Sequence, residues 1–407
     1  MVVSLVVQKY GGTSVADPDR VKAVADHIVA TRRSGHDVIV VVSAMGKTTD
    51  DLERLAHEVA SAPSAREMDM LLTAGERISI SLLCMAIIDR GEQAVSFTGS
   101  QAGILTDTAH RKAKILEVKA DRIRRAVGEG SIAVVAGFQG VSTASDVTTL
   151  GRGGSDTTAV ALAAALEAEV CEIYTDVAGV FTADPRIVPD ARKLERISYE
   201  EMLDMAATGG RVLALRSVEF ARNYGVPVHV RSSFTLEPGT WVVEEGDPME
   251  QAIISGVTHD TSEAKITIAR VPDRPGVAAK LFRSLADEAV NVDMIVQNVS
   301  TAGFTDISFT VPKDEVPRTQ KVVGGVVEEV GADGYSTDED IGRVSVVGAG
   351  MKTHPGVAAT MFESLAGEGV NIEMISTSSI RISCVVAQSD VERAVRVLHD
   401  AFDLGSV

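Results

Sequence analysis

The sequence predicts an α/β domain with a mainly parallel sheet, followed by two copies of a small α+β module. Up to Val230, strand-like and helix-like stretches alternate, which is typical of parallel strands connected by helices. The run 38–42 is apolar and β-branched throughout, as in strands buried on both faces. Beyond Asp247 the chain repeats itself, because Pro-Gly-Val-Ala-Ala at 275–279 returns at 355–359, an offset of 355 − 275 = 80 residues.

Length, charge and cysteine content limit the class of protein. With 407 residues the chain is long enough for two or three domains. Its formal charge of 39 − 57 = −18 argues against nonspecific binding to nucleic acids or anionic membranes. Cys84, Cys171 and Cys384 lie far apart in apolar runs, which favours buried free thiols in a reducing compartment. We find no signal peptide and no apolar run of about 18 residues, and we expect a cytoplasmic protein.

The first elements in order are a strand, a helix and a second strand. The strand at 5–7 runs into Lys9, Tyr10 and two glycines, Gly11 and Gly12. A helical pattern then starts at Pro18 and stops before Gly35. The strand at 38–42 follows and ends in a loop of small residues, which contains Ser43, Lys47 and Thr48. The next elements are a helix over 65–89 that Gly75 could interrupt, strands over 94–97 and 132–136, and a helix over 118–127.

The glycine-rich stretch 149–158 precedes an alanine-rich helix. Its three glycines let the backbone approach a ligand closely. Ser155, Asp156 and Thr157 are all natural N-caps, so we expect the helix to begin among them with its amide groups facing the loop. A helix N-terminus favours an anion, and Arg152 could add a bidentate contact to a carboxylate. The alternative is an ordinary glycine turn that caps a helix.

The rest of the first domain continues the alternation. A strand at 170–174 ends in a loop that contains Thr175, Asp176, Phe181, Asp184 and Arg186. Helices over 200–207 and 218–224, a strand over 226–230 and a turn-rich boundary over 234–247 follow. A further strand over 253–257 precedes the first repeat copy and could instead complete the sheet of the second.

The two repeat copies share more than the Pro-Gly turn. Each copy predicts a strand, a Pro-Gly turn, a helix and a strand that begins at Val-Asn. At the 80-residue offset nine further residues of the first copy recur, which are Phe282, Ser284, Leu285, Ala286, Glu288, Val290, Asn291, Met294 and Ile295. The chain therefore contains a duplicated module.

Each candidate site residue also has a structural interpretation. Lys9 beside Gly11 and Gly12 predicts a phosphate cradle of backbone amides, or a solvated lysine beside a plain turn. Glu76 could bind a ligand or pair with Arg77. Asp176 and Asp184 could simply form turns. Neither common nucleotide motif fits, because Val41 replaces the first P-loop glycine and Asp156 replaces the third glycine of a dinucleotide fingerprint. No zinc spacing of Cys or His is present, so we expect no transition-metal site.

Five motifs together resemble the aspartokinase family in order and spacing. They are Lys-Tyr-Gly-Gly-Thr-Ser at 9–14, Val-Ser-Ala-Met-Gly at 42–46, Leu-Thr-Ala-Gly-Glu-Arg at 72–77, the stretch 149–158, and Phe-Thr-Ala-Asp-Pro-Arg at 181–186. The resemblance covers the whole chain and is strongest to the monofunctional actinobacterial type, with two ACT domains and no homoserine dehydrogenase domain. It implies an amino acid kinase fold over 1–248, a linker and shared strand over 249–262, and ferredoxin-like ACT domains over 263–340 and 341–407.

The resemblance implies transfer of the γ-phosphoryl group of MgATP to the β-carboxylate of L-aspartate. Lys9, Arg152 and Asp156 would be catalytic, with Lys9 on the phosphoryl group and Asp156 orienting Lys9 or acting at the substrate end. Arg152 would bind the α-carboxylate of aspartate and Glu76 its ammonium group. The other substrate-binding residues would be Lys47, Thr48, Gly153, Gly154 and Ser155. ATP would contact Lys9, Tyr10, Gly11, Gly12, Ser43, Thr175, Asp176, Phe181, Asp184, Pro185, Arg186 and Arg211, and Mg²⁺ would be held mainly by the phosphates.

One position departs from the common family pattern. Arg211 stands where many relatives carry lysine near the nucleotide, so the charge is kept while the geometry changes. This puts the individual role of Arg211 in doubt.

The ACT repeat implies feedback inhibition by threonine and lysine at interfaces between chains. The first effector site would contain Asp273, Arg274, Gly276, Val277, Ala278, Asn291, Gln297 and Asn298. Its counterpart would contain Met351, His354, Pro355, Gly356, Val357, Asn371, Ile372 and Thr377. Met249 could be an internal translation start that gives a regulatory subunit, so the protein would be a homo-oligomer or an α2β2 assembly.

Two other functions compete with this one. A kinase of the same fold could act on glutamate or UMP, although residues placed for both charges of an α-amino acid argue against a nucleotide acceptor. Glutamate differs from aspartate by one methylene group, which a pocket discriminates by only about 1–3 kcal/mol. The chain could also be an inactive amino-acid sensor, but Lys9, Glu76, Arg152 and Asp156 are all intact.

Overall fold

The structure, a computed structural model, describes residues 4–235, 237–244, 253–298 and 303–405. The chain divides into two compact units. The first comprises Met1–Val180, Lys193–Ala207 and Arg211–Met249, and the second comprises Phe181–Arg192, Thr208–Gly210 and Glu250–Val407. The candidate internal start at Met249 lies outside the described residues.

The first unit contains twelve strands, seven α-helices and one short 3-10 helix (Gly12–Val15) among its described residues. The strands are β1 (Leu5–Tyr10), β2 (Asp37–Val42), β3 (Ala94–Phe97), β4 (Ile104–Thr106), β5 (Ile115–Val118), β6 (Ile132–Ala136), β7 (Gln139–Ser142), β8 (Val147–Thr149), β9 (Val170–Thr175), β10 (Arg196–Ser198), β11 (Val228–Ser232) and β12 (Thr240–Val243). The helices are α1 (Pro18–Arg33), α2 (Thr48–Val59), α3 (Ala65–Asp89), α4 (Asp121–Gly128), α5 (Gly154–Leu166), α6 (Tyr199–Ala207) and α7 (Leu215–Tyr224).

Eight of these strands form the main sheet in the order β10-β12-β11-β9-β1-β2-β6-β3. Its neighbouring pairs are parallel except β11 with β12, which confirms the predicted mainly parallel sheet. Tyr10 pairs with both Val42 and Tyr174, and Val42 pairs with Ala136. The loops that follow β1, β2, β6 and β9 therefore meet at one edge, which is where open α/β sheets bind ligands.

Local sequence explains the two long helices near this edge. In α1, Pro18 occupies the first turn and the Asp17 side chain accepts a hydrogen bond from the Arg20 amide, as a helix start requires. Helix α3 is continuous through Gly75, so the interruption that glycine could have caused is not observed. By length and composition α3 could cross a membrane, contrary to our reading of the sequence, but half of its most apolar window is buried inside the protein. A core helix of an α/β domain passes the same test.

Three local expectations for the first unit are wrong. The stretch 118–127 is not one helix, because β5 ends at Val118 and α4 begins at Asp121. Strand β11 runs to Ser232 and begins two residues later than expected. Helix α5 begins at Gly154 with Gly153 as its N-cap, so Ser155, Asp156 and Thr157 lie inside the first turn. The side chains expected to cap α5 make other contacts, described below. A second sheet, β5-β4-β7-β8, was not predicted.

The second unit contains the two repeat copies. Its strands are β13 (Gly256–Asp260), β14 (Glu263–Pro272), β15 (Ile295–Gln297), β16 (Phe304–Pro312), β17 (Gly334–Asp338), β18 (Ile341–Val347), β19 (Met374–Thr377) and β20 (Arg381–Ala387). Its helices are α8 (Val277–Asp287), α9 (Val316–Val330), α10 (Val357–Gly367) and α11 (Val391–Ala401). Two antiparallel sheets result, with strand orders β15-β16-β14-β17 and β13-β18-β20-β19.

The repeat copies differ from the prediction in two respects. The strand expected to begin at Val-Asn begins later in each copy, because β15 starts at Ile295 and β19 at Met374. Each copy also continues beyond that strand, with β16, α9 and β17 in the first and β20 and α11 in the second. Strand β13, which precedes the first copy, pairs with β18 of the second.

A short segment from the middle of the chain belongs to the second unit. Within 181–192, Ala183 and Val188 are buried in the same apolar cluster as Ile382 and Leu398. The Val257 amide donates to the Thr182 carbonyl at 2.7 Å, and Ala191 forms a bridge with Gly405. The apolar core of the second repeat copy therefore includes residues from a distant part of the sequence.

Candidate active site

Lys9 and Asp156 form an ion pair at the edge of the main sheet. Lys9 Nζ lies 2.6 Å from Asp156 Oδ1, and each side chain is only about a tenth exposed. Lys9 Nζ would also lie 3.5 Å from a Cβ placed on Gly11, so the ammonium group sits beside the glycine backbone. The pair places one nearly buried cation next to the loop after β1.

The Gly11–Gly12 loop packs directly on the loop after β2. The Gly46 amide donates to the Gly12 carbonyl at 3.0 Å, and the Gly11 amide donates to the Tyr174 carbonyl at 3.3 Å. A Cβ on Gly12 would lie 2.8 Å from the Ala44 carbonyl oxygen, closer than real contacts allow. The loops after β1, β2 and β9 are thereby fixed to one another, and glycine is required at position 12 by this close approach.

Glu76 presents a buried carboxylate oxygen that has no partner among the described residues. The Ala44 amide donates to its Oε1 at 3.2 Å, while Oε2 is buried and makes no hydrogen bond. The residue is 2% exposed, and burial raises the pKa of its carboxyl group to about 7. Arg77 points to solvent, so an ion pair with Arg77 does not explain Glu76. A buried, unpaired oxygen of this kind is suited to a cationic group of a ligand.

The first turn of α5 completes the edge. Ser43 Oγ donates to Ser155 Oγ at 3.0 Å and Asp156 pairs with Lys9, so two of the side chains expected to cap the helix face β1 and the loop after β2 instead. Gly153, with φ 70°, adopts the left-handed conformation, and a Cβ there would lie 2.2 Å from that of Ala214. Arg152 is exposed. Helix α5 therefore points its N-terminus, with its partial positive charge, at the same edge as Lys9.

Sequence reasoning missed Asp69, which holds the loop before Arg152. Asp69 is completely buried in α3, and its carboxylate accepts hydrogen bonds from Thr149 Oγ at 2.6 Å and from the Arg111 amide at 3.1 Å. His110 Nδ1 lies 2.7 Å from the same carboxylate. A signal was present, because an aspartate between Met68 and Leu72 on the apolar face of a helix has to be paired.

Arg216 of α7 holds the same loop by its backbone. Its guanidinium donates to the Leu150 carbonyl at 3.1 Å and to the Ala113 carbonyl at 2.8 Å. Burial lowers the pKa of Arg216 from its ordinary value. Thr149 and Leu150 are thus fixed from two helices, immediately before Gly151 and Arg152.

Comparisons with known proteins now identify the family. The profile of the amino acid kinase family matches residues 4–232, and that of the ACT domain matches 266–324 and 344–402. The aspartokinase of Mycolicibacterium smegmatis is 59% identical, covering 99% of this chain and 97% of its own. That of Corynebacterium glutamicum is 55% identical over the same shares. The chain belongs to the aspartokinase family.

Solved aspartokinase structures agree in fold. Escherichia coli aspartokinase III in complex with aspartate and ADP (R-state) is 25% identical, with a TM-score of 0.84 over 98% of this chain and 99% of that one. The same enzyme in complex with lysine and aspartate (T-state) is 26% identical, with a TM-score of 0.74. As a member of the aspartokinase family, the protein is a kinase that uses ATP and carries ACT regulatory domains.

The structure of this aspartokinase family member divides the predicted nucleotide residues between the two units. Phe181, Asp184, Pro185 and Arg186 belong to the second unit, while Thr175, Asp176 and Arg211 belong to the first. Arg186 donates to both oxygens of the Asp184 carboxylate and lowers its pKa. Thr175 Oγ donates to Asp176 Oδ1 at 3.1 Å.

Three other predicted residues, Tyr10, Lys47 and Thr48, lie at or just after the ends of β1 and β2. Their side chains differ in the contacts that they make. The Tyr10 side chain is 1% exposed, stacks on Tyr174 at 4.7 Å and lies 2.7 Å by its hydroxyl from His27 Nδ1, so only its backbone is left for a ligand. Lys47 is the N-cap residue of α2. Thr48 Oγ donates to the Met45 carbonyl at 2.6 Å, which fixes that turn.

The predicted effector residues of the first ACT copy line a cavity of about 360 Å³. It contains six of the eight, namely Asp273, Arg274, Gly276, Val277, Ala278 and Gln297, together with Thr305 and Ile307. Asn298 adjoins it, because its carbonyl accepts a hydrogen bond from the Thr305 hydroxyl. Asn291 does not line the cavity. The Pro-Gly turn and the strand β15 therefore line the same cavity.

The corresponding residues of the second copy lie around the second Pro-Gly turn and the strand β19. Met351 packs against the apolar core, and His354 Nδ1 lies 2.9 Å from the Gly350 carbonyl oxygen. Pro355, Gly356 and Val357 lead into α10, Asn371 and Ile372 precede β19, and Thr377 ends it.

Proposed function

We propose that the protein transfers the γ-phosphoryl group of MgATP to the β-carboxylate of L-aspartate and releases 4-phospho-L-aspartate. The observation that carries this proposal is the buried, unpaired Oε2 of Glu76 at the sheet edge where Lys9 pairs with Asp156. The Glu76 carboxylate is suited to the ammonium group of an amino acid, and the Lys9 ammonium group is suited to a phosphoryl group. The product would supply the biosynthesis of lysine, threonine and methionine.

The chemistry of the acceptor agrees with this set of residues. A carboxylate with an ordinary pKa near 4 is already ionised at neutral pH, so no general base has to activate it. The difficulty is to bring one anion to another, which positioning and charge neutralisation solve. Lys9 would neutralise the phosphoryl oxygens, the Gly11 and Gly12 backbone would cradle them, and Asp156 would hold Lys9 in place.

The substrate would be bound by its two charged ends. Glu76 would accept the ammonium group of aspartate, which supplies the partner that Oε2 lacks. Arg152 would bind the α-carboxylate, with its loop held by Asp69 and Arg216. The pocket would be completed by Lys47, Thr48, Gly153, Gly154 and Ser155.

The nucleotide would lie along the loops after β1, β2 and β9. Its contacts within the first unit would be the backbone of Tyr10, with Ser43, Thr175, Asp176 and Arg211. Mg²⁺ supplies charge neutralisation when it is bound with ATP. Asp156 is already paired with Lys9. Mg²⁺ would therefore be held mainly by the phosphate oxygens of ATP.

The regulatory part would occupy 263–340 and 341–407, with a kinase domain over 1–248 and a linker and shared strand over 249–262. We propose threonine and lysine as the effectors, because the cavity beside Arg274 and Asp273 offers both charges that a free amino acid needs. A related aspartokinase has been crystallised with lysine. The protein would act in the cytoplasm as a homo-oligomer, or as an α2β2 assembly if Met249 starts a second subunit.

Trapping with hydroxylamine tests the reaction. Purified full-length protein is incubated with MgATP and either aspartate or glutamate, and the acyl phosphate is measured as its hydroxamate. We expect aspartate-dependent hydroxamate that falls when threonine and lysine are both added. Equal turnover of glutamate would refute the substrate assignment, and no turnover by folded protein would favour a sensor. Glu67→Gln, on the exposed start of α3, is the matched control for Glu76→Gln.

A further inference from the structure

Three potential metal ligands meet in the second unit. Ligand atoms of Asp190, His399 and Asp400 all lie within 4.8 Å of one another. Asp190 comes from the segment 181–192, and the other two residues come from the last turns of α11. His399 is completely buried, whereas both aspartates are exposed. Sequence spacing could not show this group, because Asp190 lies 399 − 190 = 209 residues before His399.

The hydrogen bonds of Thr182 fix the protonation of the His399 ring. Its hydroxyl oxygen accepts from the Arg192 amide at 2.9 Å, lies 3.1 Å from the Leu404 carbonyl and lies 3.0 Å from His399 Nε2. A hydroxyl group has one proton to donate, and the Leu404 carbonyl can only accept it. All three contacts are satisfied when Nε2 carries a proton and donates it to Thr182. Nδ1 then carries a lone pair.

That lone pair is buried and unsatisfied. His399 Nδ1 makes no hydrogen bond to any described residue. The carboxylates of Asp190 and Asp400 lie beside this nitrogen. An acceptor left without a partner in a protein interior costs roughly 1–3 kcal/mol, and such atoms in native proteins ordinarily have a partner. A cation is a suitable partner for this lone pair, because two carboxylates lie beside it.

We propose that Asp190, His399 and Asp400 bind a divalent first-row transition cation, through Nδ1 and one oxygen of each carboxylate. Imidazole nitrogen favours Zn²⁺ and its neighbours over Mg²⁺ and Ca²⁺, which take oxygen ligands. Two carboxylates neutralise the charge of the ion, and their exposure leaves coordination positions for water. Thr182 on Nε2 supplies the outer hydrogen bond that orients a metal-bound imidazole.

Binding would add a further connection between the segment 181–192 and α11. Thr182 and Ala191 already contact Leu404 and Gly405 near the C-terminus, and the ion would hold Asp190 to His399 and Asp400 as well. The segment 181–192 would therefore be fixed more firmly to α11 when the ion is present. We expect the metal to raise the unfolding temperature, since it binds only the folded chain.

Calorimetric titration with Zn²⁺ tests the site on the full-length protein. The protein is treated with EDTA, transferred to metal-free buffer without nucleotide, and titrated in the presence of millimolar Mg²⁺. We expect one Zn²⁺ per chain, with at least tenfold weaker binding in both Asp190→Asn and Asp400→Asn. Glu392→Gln, which removes the same charge at the other end of α11, should bind as the wild type does. The Zn²⁺-dependent rise in unfolding temperature should disappear in the two aspartate variants only.

The variants also separate this site from other metal binding. Both aspartates are exposed, so circular dichroism should show the wild-type fold in each variant without metal. Equal Zn²⁺ affinity in wild type and both variants would place the ion elsewhere and overturn the proposal. Absence of stoichiometric binding to the wild type, or loss in one aspartate variant but not the other, would overturn it as well.

Discussion

Replacing Glu76 by glutamine should stabilise the ligand-free protein at alkaline pH while it disables the substrate site. In the folded chain burial raises the pKa of Glu76 to about 7, from 4.5 in an unperturbed carboxyl group. Folding therefore favours the protonated form. This contribution to stability is fully present below pH 4.5 and is lost as the pH rises through 7. Above pH 7 the ionised Glu76 destabilises the ligand-free fold, and glutamine cannot ionise.

The size of the effect follows from the shift. One pKa unit corresponds to about 1.4 kcal/mol, so a shift from 4.5 to about 7 corresponds to about 3 kcal/mol of unfolding free energy. We expect Glu76→Gln to be about 3 kcal/mol more stable than wild type at pH 8 and similar to it near pH 4.5. The ammonium group of aspartate would relieve the same penalty in the wild type, so added aspartate should stabilise the wild type only.

Tryptophan fluorescence provides the assay, because Trp241 is the single tryptophan of the sequence and lies in the first unit. Urea unfolding would be followed at several pH values from 5 to 8.5 for wild type, Glu76→Gln and the control Glu67→Gln. In parallel, the variant should show at least a tenfold higher KM for aspartate with little change in KM for ATP. A stability difference that does not vary with pH would refute the assignment of the raised pKa, and an unchanged KM would refute the ammonium contact.

Three further predictions concern the other contacts of the two units. Lys9→Met should lower kcat at least 100-fold and destabilise the fold by about 3–5 kcal/mol, because Asp156 is left buried without its cation. Lys9→Met combined with Asp156→Asn should recover stability in urea but not activity, and recovery of activity would contradict the role of Lys9. Asp69→Asn should lose about 2–3 kcal/mol and raise KM for aspartate rather than for ATP, because it loosens Thr149 before Arg152. An equal rise in both KM values would point to general disorder instead. Arg274→Ala should weaken inhibition by threonine plus lysine at least tenfold at an unchanged uninhibited rate, with the exposed Arg283→Ala on α8 as control. Unchanged inhibition would exclude the cavity.

The features that sequence predicted are those that local pattern determines. Apolar, largely β-branched runs predicted the strands β2 and β6, and the parallel pairing of β1, β2 and β6 brings the loops that follow these strands to one edge. The repeat was visible because the same turn and helix chemistry recurs at a fixed offset. Glu76 could be selected as a candidate, but its unpaired oxygen could not, because burial is a property of the whole fold.

The features that sequence did not predict depend on partners that are distant in the chain. Asp69 acts on Thr149, and Arg216 acts on Leu150, across 80 and 66 residues. The expected cap of α5 was wrong because Ser155 and Asp156 contact Ser43 and Lys9 instead of the helix backbone. The place of 181–192 in the second unit was also hidden, since an Asp-Pro-rich stretch has the same local pattern wherever it packs.

The membership of 181–192 in the second unit also bears on how the protein can be divided. A single cut near residue 249 does not separate the two units, because the chain enters the second unit twice before that point. A kinase fragment that ends there would expose Ala183 and Val188, which are buried in the intact chain. A regulatory fragment that starts there would lack the segment 181–192. Its second apolar core would then have a groove where Ala183 and Val188 pack in the intact chain. Such fragments should be expressed together, or the missing segment supplied as a peptide, before either is judged unable to fold.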